Sequence, residues 1–315
     1  MSLYSKSDIE KIANESGFIR DNLEKVIRLN EILTYFNTNP ILVDNLVLKG
    51  GTAINLSVFE MPRLSVDIDL DLNKECNKEE MLLVRESLNK EILNYMFTQG
   101  YSLSQNTKNP HSLDSWAFCY QNAGGNNDNI KIEINYSMRN HIYFPTVSNT
   151  KIKFLPEIEV RIVNPIELFG SKIKALIERT AARDLYDVYN MIEYRIFSCE
   201  ELNQVRKTVI FYLAVGGSYA PKKEYSFEVI DNLKYPQIRA HLIPVLRKSE
   251  HFDFEKAKVV VKEFLSRLII FTDKEKSFID SFNNNSYKPE LLFSDKAIIE
   301  RIKNHPMAIW KTREK

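Results

Sequence analysis

From Ser65 to Leu72 the chain reads Ser-Val-Asp-Ile-Asp-Leu-Asp-Leu, with a hydrophobic period of two. Successive side chains of a strand point to opposite faces, so Val66, Ile68, Leu70 and Leu72 form an apolar face. Ser65, Asp67, Asp69 and Asp71 form an acidic one. Residues two apart in a strand have alpha carbons roughly 6.5 Å apart, so the carboxylates of Asp67 and Asp69 can converge on one ion. No lysine or arginine lies between Ser65 and Leu72 to neutralise them from within the segment. Three acids on one face repel one another unless a cation or a base from elsewhere in the chain joins them. A divalent ion such as Mg²⁺ supplies that charge, and carboxylate and phosphate oxygens are the ligands it prefers. Alternation alone also describes a solvated strand face, and an isolated Asp-x-Asp is a weak motif.

The segments on either side give this strand a context. Ser7 and Asp8 can cap a helix running from about Ile9 towards Tyr35. The apolar run Ile41 to Leu48 reads as a buried strand that enters a tight turn at Lys49-Gly50-Gly51-Thr52, followed by a brief helix from Ala53 to Phe59. Spacing predicts a helix from Lys78 to Met96 and strands around Trp116–Tyr120 and Ile130–Tyr136. The Gly/Asn-rich stretch from Ala123 to Asn129 joins those two strands as a hairpin loop. A further strand is expected at Glu159–Ile162, just before a helix start at Pro165. Beyond it helices dominate: Glu167–Glu178, Arg183–Tyr194, Cys199–Leu213, Phe254–Leu268 and Lys274–Phe282. The expected organisation is an α/β core over residues 1–164 and a mostly helical domain over 165–315.

Three further clusters bear on chemistry. In Lys49-Gly50-Gly51-Thr52, two glycines allow close approach of the backbone to a ligand. The amides of the next helical turn and the Thr52 hydroxyl could then hold phosphate oxygens. In Lys131-Ile132-Glu133-Ile134, Glu133 would be a third carboxylate if its strand lies beside Asp69. It could share the metal or accept a proton from an attacking hydroxyl, or it could be an ordinary glutamate paired with Lys131. In the run from Pro165 to Asp187, the side chains of Lys172, Arg179, Arg183 and Asp187 lie near one face if the helix is continuous. Such a ridge could hold a triphosphate, or it could be a network of surface ion pairs. A glycine turn followed some fifteen residues later by Asp67 and Asp69 suggests phosphoryl or nucleotidyl transfer.

Composition limits the alternatives. The 315 residues suffice for a core without covalent staples, and Cys76, Cys119 and Cys199 form no metal-ligand spacing, which fits a reducing compartment. The charged N-terminal stretch and the lack of eighteen consecutive apolar residues favour a cytoplasmic protein without membrane association. Residues 201–315 hold 21 Lys/Arg against 15 Asp/Glu within an overall charge of +1, a mild bias compatible with a polyanionic partner. His111, His141, His241, His251 and His305 are scattered, and none is assigned as a nucleophile.

The blocks VLKGGTAINL, SVDIDLDL, KIEI and ELFGSKIKALIERTAARDLYDVY, together with the late HPMAIW stretch, resemble the ordered motifs of the AbiEii/AbiGii/MenT nucleotidyltransferase toxins. The resemblance spans about Ile41 to Trp310. It implies a polymerase β-like nucleotidyltransferase core with a mixed sheet, and a toxin–antitoxin or abortive-infection setting against phage. By position, Gly50, Gly51 and Thr52 match the glycine motif, and Asp67 and Asp69 match the metal aspartates. Lys172 matches the lysine near the nucleotide phosphates, and Asp184 the aspartate of the Arg-Asp helix, with Asp187 beside it. The implied activity transfers a nucleoside monophosphate from an NTP, with one or two Mg²⁺ ions, to tRNA or another RNA. A cognate antitoxin encoded nearby is the implied partner. Modification of protein, a metal-dependent phosphohydrolase or nuclease, and a noncatalytic RNA-binding or protein-interaction module are the alternatives.

Overall fold

In the computed structural model, which describes residues 4–105, 107, 109–110 and 112–313, the apolar run and the acidic alternation form adjacent strands. Strands β1 (Leu46–Lys49) and β2 (Asp67–Leu72) pair antiparallel in a seven-stranded sheet with β3 (Ser102–Leu103), β4 (Leu113–Gln121), β5 (Asn127–Asn135), β6 (Thr146–Asn149) and β7 (Glu159–Ile162). The order is β3-β4-β5-β2-β1-β7-β6. The sheet is mixed, since β2 runs parallel to β5 and β1 parallel to β7. Ile68, Leu70 and Leu72 from β2 and Ile132 and Ile134 from β5 are buried. Full burial of each such side chain stabilises by about 1.5–3 kcal/mol, which favours the register that keeps the aspartates on the other face.

The N-terminal helix divides in two: α1 (Lys6–Ser16) ends at Gly17, and α2 (Arg20–Thr38) begins after the buried Phe18. Its cap is Ser5, not Ser7, because Ser5 and Asp8 each accept the other's backbone N–H in a capping box. The expected long strand from Ile41 is shorter. Asn39 caps the Ile41 and Leu42 amides, and Pro40 occupies the first helical position, so α3 (Pro40–Asn45) takes up most of the apolar run before β1. Next come α4 (Gly50–Ala53), which continues as a π-helical turn over Ile54–Val58, and α5 (Lys78–Thr98).

The later helices are α6 (Pro165–Arg179), α7 (Ala182–Glu193), α8 (Cys199–Val215), α9 (Tyr235–His241), α10 (Phe254–Leu268), α11 (Asp273–Asn283), α12 (Lys296–Ile302) and α13 (Pro306–Lys311). The helix of the Arg-Asp motif is not continuous: Thr180, at φ 46°, ends α6 before α7 begins. Gly170 lets α6 lie close to α8, since a β-carbon there would come within 2.4 Å of Thr208 Cγ2.

Two compact units result. The first comprises Met1–Arg139, Pro145–Val163 and Pro244–Glu250 and contains the whole sheet. The second comprises Asn140–Phe144, Asn164–Ile243 and His251–Lys315. Within the second, buried Glu167 accepts the amides of Ile142 (3.0 Å) and Tyr143 (3.1 Å) and the Tyr212 hydroxyl (2.5 Å), which ties the 140–144 segment to α6 and α8. Among the described residues, no helix is long and apolar enough to cross a membrane.

Candidate active site

In the first unit, β1 ends at Lys49 and the chain turns through Gly50 at φ 70°, a left-handed conformation that glycine adopts without cost. The turn lies against the acidic strand. A β-carbon at Gly50 would come within 2.5 Å of Asp69 Oδ2, and one at Gly51 within 2.8 Å of Arg63 Nη2 and 3.1 Å of Ser65 Oγ. Both alpha carbons are thus bare where the turn meets the strand of the aspartates. Thr52 is fully buried, and its hydroxyl engages Ser65 Oγ (2.9 Å) and the Asp67 carbonyl oxygen. That side chain fastens the turn to β2 and leaves only the backbone of residue 52 for a ligand.

The sheet register sets which charges meet. Asp69 lies opposite Lys49 of β1 on one side and beside Glu133 of β5 on the other, while Asp67 lies beside Lys131. Glu133 is therefore a direct neighbour of Asp69, but its carboxylate meets Lys131 Nζ at 2.9 Å. Asp71 is buried and forms an ion pair with Lys49. A base from outside the segment thus neutralises one of the three aspartates. Among the described residues, nothing forms a hydrogen bond or ion pair with the Asp67 carboxylate.

The donor set fits a hard divalent cation: Asp67 and Asp69 offer carboxylate oxygens from one strand face, and sulfur and imidazole are absent from that strand. Among the described residues, no group of three or more His, Cys, Asp or Glu side chains is arranged to hold a metal. Two protein carboxylates, completed by phosphate oxygens and water, match the habit of Mg²⁺, which keeps much of its shell from substrate and solvent.

The second unit gathers the other predicted residues into a different arrangement. Lys172 Nζ, on α6, lies 3.0 Å from Asp184 Oδ1 and 3.1 Å from Asp187 Oδ2, both on α7. Arg179 donates to both Asp184 oxygens, through Nε at 2.6 Å and Nη2 at 3.0 Å. Burial pushes the Asp184 carboxyl up, but Lys172 and Arg179 more than offset this and hold it below the usual carboxylate range. Two cations face two carboxylates here, so the cluster is balanced rather than a basic ridge. Arg183 points elsewhere and donates through Nε to the His241 carbonyl at 2.7 Å.

Sequence reasoning overlooked Lys49 and Arg63. Lys49 immediately precedes the glycine pair, and only the β1–β2 register brings it to Asp71. Arg63 is 2 % exposed and donates to the Leu64 carbonyl at 2.9 Å; an arginine following Pro62 at the entrance to an acidic strand was the available signal. Of the histidines, His141 is buried beside Glu167 and His305 is buried as the cap of α13, while His111 lies outside the described residues.

A family model described as "Nucleotidyl transferase AbiEii toxin, Type IV TA system" matches residues 31–266. Among solved structures, MenT4, a nucleotidyltransferase toxin from Mycobacterium tuberculosis H37Rv, has a similar fold, with a TM-score of 0.65 at 15 % sequence identity. That alignment covers 99 % of this chain and 100 % of the other. No curated protein matches in sequence.

Proposed function

The chain belongs to the AbiEii family of nucleotidyltransferase toxins, and from that membership we propose that it transfers a nucleoside monophosphate from an NTP to the 3′ end of tRNA or another RNA. The supporting observation is the contact between the bare alpha carbon of Gly50 and the Asp69 carboxylate, on the strand face that also carries Asp67. It puts a turn of backbone amides next to a pair of carboxylates, as a metal-bound triphosphate needs.

The acceptor hydroxyl oxygen attacks the α-phosphorus, forming a new P–O bond. The bond from that phosphorus to the bridging oxygen breaks, and pyrophosphate leaves with its electron pair. Asp67 and Asp69 would hold one or two Mg²⁺ ions, whose chemistry when bound is to neutralise phosphate charge and to acidify the acceptor hydroxyl. The amides at Gly50, Gly51 and Thr52 donate to triphosphate oxygens, and the Thr52 hydroxyl keeps that turn on β2. Glu133, next to Asp69 in the sheet, takes the hydroxyl proton or adds a carboxylate to the metal once Lys131 releases it. In the second unit, Lys172 offsets charge growing on the phosphates. Asp184 and Asp187 hold its ammonium in place, and Arg179 is a secondary phosphate contact, whereas Arg183, turned to the His241 carbonyl, is given no phosphate role. That unit, centred on residues 165–315, also contributes to acceptor binding, and a cognate antitoxin restrains the activity.

The test is Asp69→Asn in an assay of Mg²⁺-dependent incorporation of each labelled NTP into cellular RNA or protein. A labelled RNA band from the wild type, lost in the folded variant, is the expected result. Full transfer by the variant defeats the two-aspartate mechanism. A labelled protein band moves the acceptor to protein, and nucleotide breakdown without covalent addition makes the enzyme a phosphohydrolase.

A further inference from the structure

The HPMAIW stretch has no part in the mechanism above, yet its helix presents a large aromatic ring to solvent. Helix α13 is anchored by buried Ala308 and by its cap, His305, whose ring meets Phe211 edge-on at 5.2 Å. Trp310, on the same short helix, is 64 % exposed, and Tyr219, in the loop after α8, is 78 % exposed. Leaving an indole and a phenol so exposed forgoes the burial that normally makes aromatics stabilising.

Both rings line one cavity of about 950 Å³ within the second unit, at the C-terminal end of α8. Neither touches another aromatic ring among the described residues. The cavity lining contains Lys311 and Arg313 and no acidic residue. Lys311 donates to the Ala214 carbonyl at 3.1 Å and to the Gly217 carbonyl, so it closes the end of α8 and keeps a positive charge in the wall. Arg313 forms no ion pair among the described residues. Asn283 and Asn285 add polar amides, and Asn283 spends one amide donor on the Pro221 carbonyl at 3.0 Å.

Exposed aromatic faces, amides that can meet base edges, and cations in the wall are together the chemistry that holds unpaired nucleotides. We propose that this cavity binds a nucleobase of single-stranded RNA, with Trp310 as the stacking surface and Arg313 on the adjoining phosphate. This deepens the RNA-acceptor proposal by assigning a binding subsite to the second unit, and its measurement requires neither NTP nor metal.

The full-length protein carries its own reporter. Of its two tryptophans, Trp116 is 1 % exposed and Trp310 is the accessible one, so iodide quenching reads Trp310. Addition of a short, mixed-sequence single-stranded RNA is expected to protect Trp310 from iodide, and the same strand in a duplex to protect it much less. By anisotropy of the labelled oligonucleotide, Trp310→Ala should weaken binding at least about fivefold, since base–aromatic stacking is worth that or more. Trp310→Phe should recover part of the loss, and Arg313→Ala should lower the salt slope by about one. Equal binding by wild type and Trp310→Ala, equal binding of duplex and single strand, or no binding overturns the proposal. So does protection of Trp310 by a protein partner with none by RNA. Asp69→Asn is measured in parallel: oligonucleotide binding retained when transfer is lost or never observed separates this subsite from the catalytic proposal.

Discussion

The two units use carboxylates in opposite ways. On β2, Asp67 and Asp69 lie on a partly exposed strand face, and the cations nearby in the sheet are assigned to other acids, Lys49 to Asp71 and Lys131 to Glu133. Between α6 and α7, Asp184 and Asp187 are buried; Lys172 reaches both within ordinary ion-pair distance, and Arg179 reaches Asp184. The first arrangement leaves the Asp67 carboxylate available to a ligand cation. The second pairs its buried carboxylates with cations of the same unit. Substitution of a carboxylate is therefore expected to touch activity alone on β2, and stability as well as activity between α6 and α7.

The largest effect should come from the buried cluster. Lys172→Ala leaves two buried carboxylates without their shared cation and should destabilise by about 3–5 kcal/mol, read from the denaturant midpoint. A loss below about 1 kcal/mol would remove the contrast with β2. The same cluster predicts an acid limit. Because the Asp184 pKa is lowered on folding, its contribution is fully present above the unfolded carboxylate value of about 4 and fades as pH falls through the folded value. A melting series from neutral to acid pH should show Asp184→Asn losing less stability on acidification than the wild type.

On β2 the expectation reverses. Asp67→Asn should reduce transfer by about 100-fold or more, because it removes a metal ligand, while stability stays within about 0.5 kcal/mol. A variant that unfolds instead would make Asp67 structural, like Asp184. Gly50→Ala should cost about 1–2 kcal/mol for its left-handed backbone and also lower transfer, since the added carbon meets the Asp69 carboxylate. Transfer unchanged in this variant would separate the turn from the chemistry. The smallest change is expected from Lys131→Ala, where the pair with Glu133 is partly solvated: stability should shift by less than about 1 kcal/mol in a thermal melt.

Much of the framework was legible because local periodicity and tertiary packing agree. The alternation at Asp67–Leu72, the hairpin of β4 and β5, and the bounds of β7, α8 and α10 follow from side-chain period, turn residues and caps. The misread segments are those where a local signal outweighed the pattern. Asn39 and Pro40 start a helix inside an apolar run, Gly17 divides a helix whose stripe continues past it, and Thr180 turns the chain in the middle of the Arg-Asp motif.

Within the candidate site, the sequence by itself determined that Asp67, Asp69 and Asp71 share a strand face and that two glycines precede them, since both follow from covalent order and a period of two. Only the tertiary structure decided that Lys49 pairs with Asp71, that Glu133 lies beside Asp69, and that the turn at Gly50 presses against the Asp69 carboxylate. The same holds for Lys172, which the packing of α6 against α7 brings to Asp184 and Asp187. Strand register and helix packing are set by the burial of apolar faces far from these charges, so the partners of each carboxylate depend on residues distant in the chain.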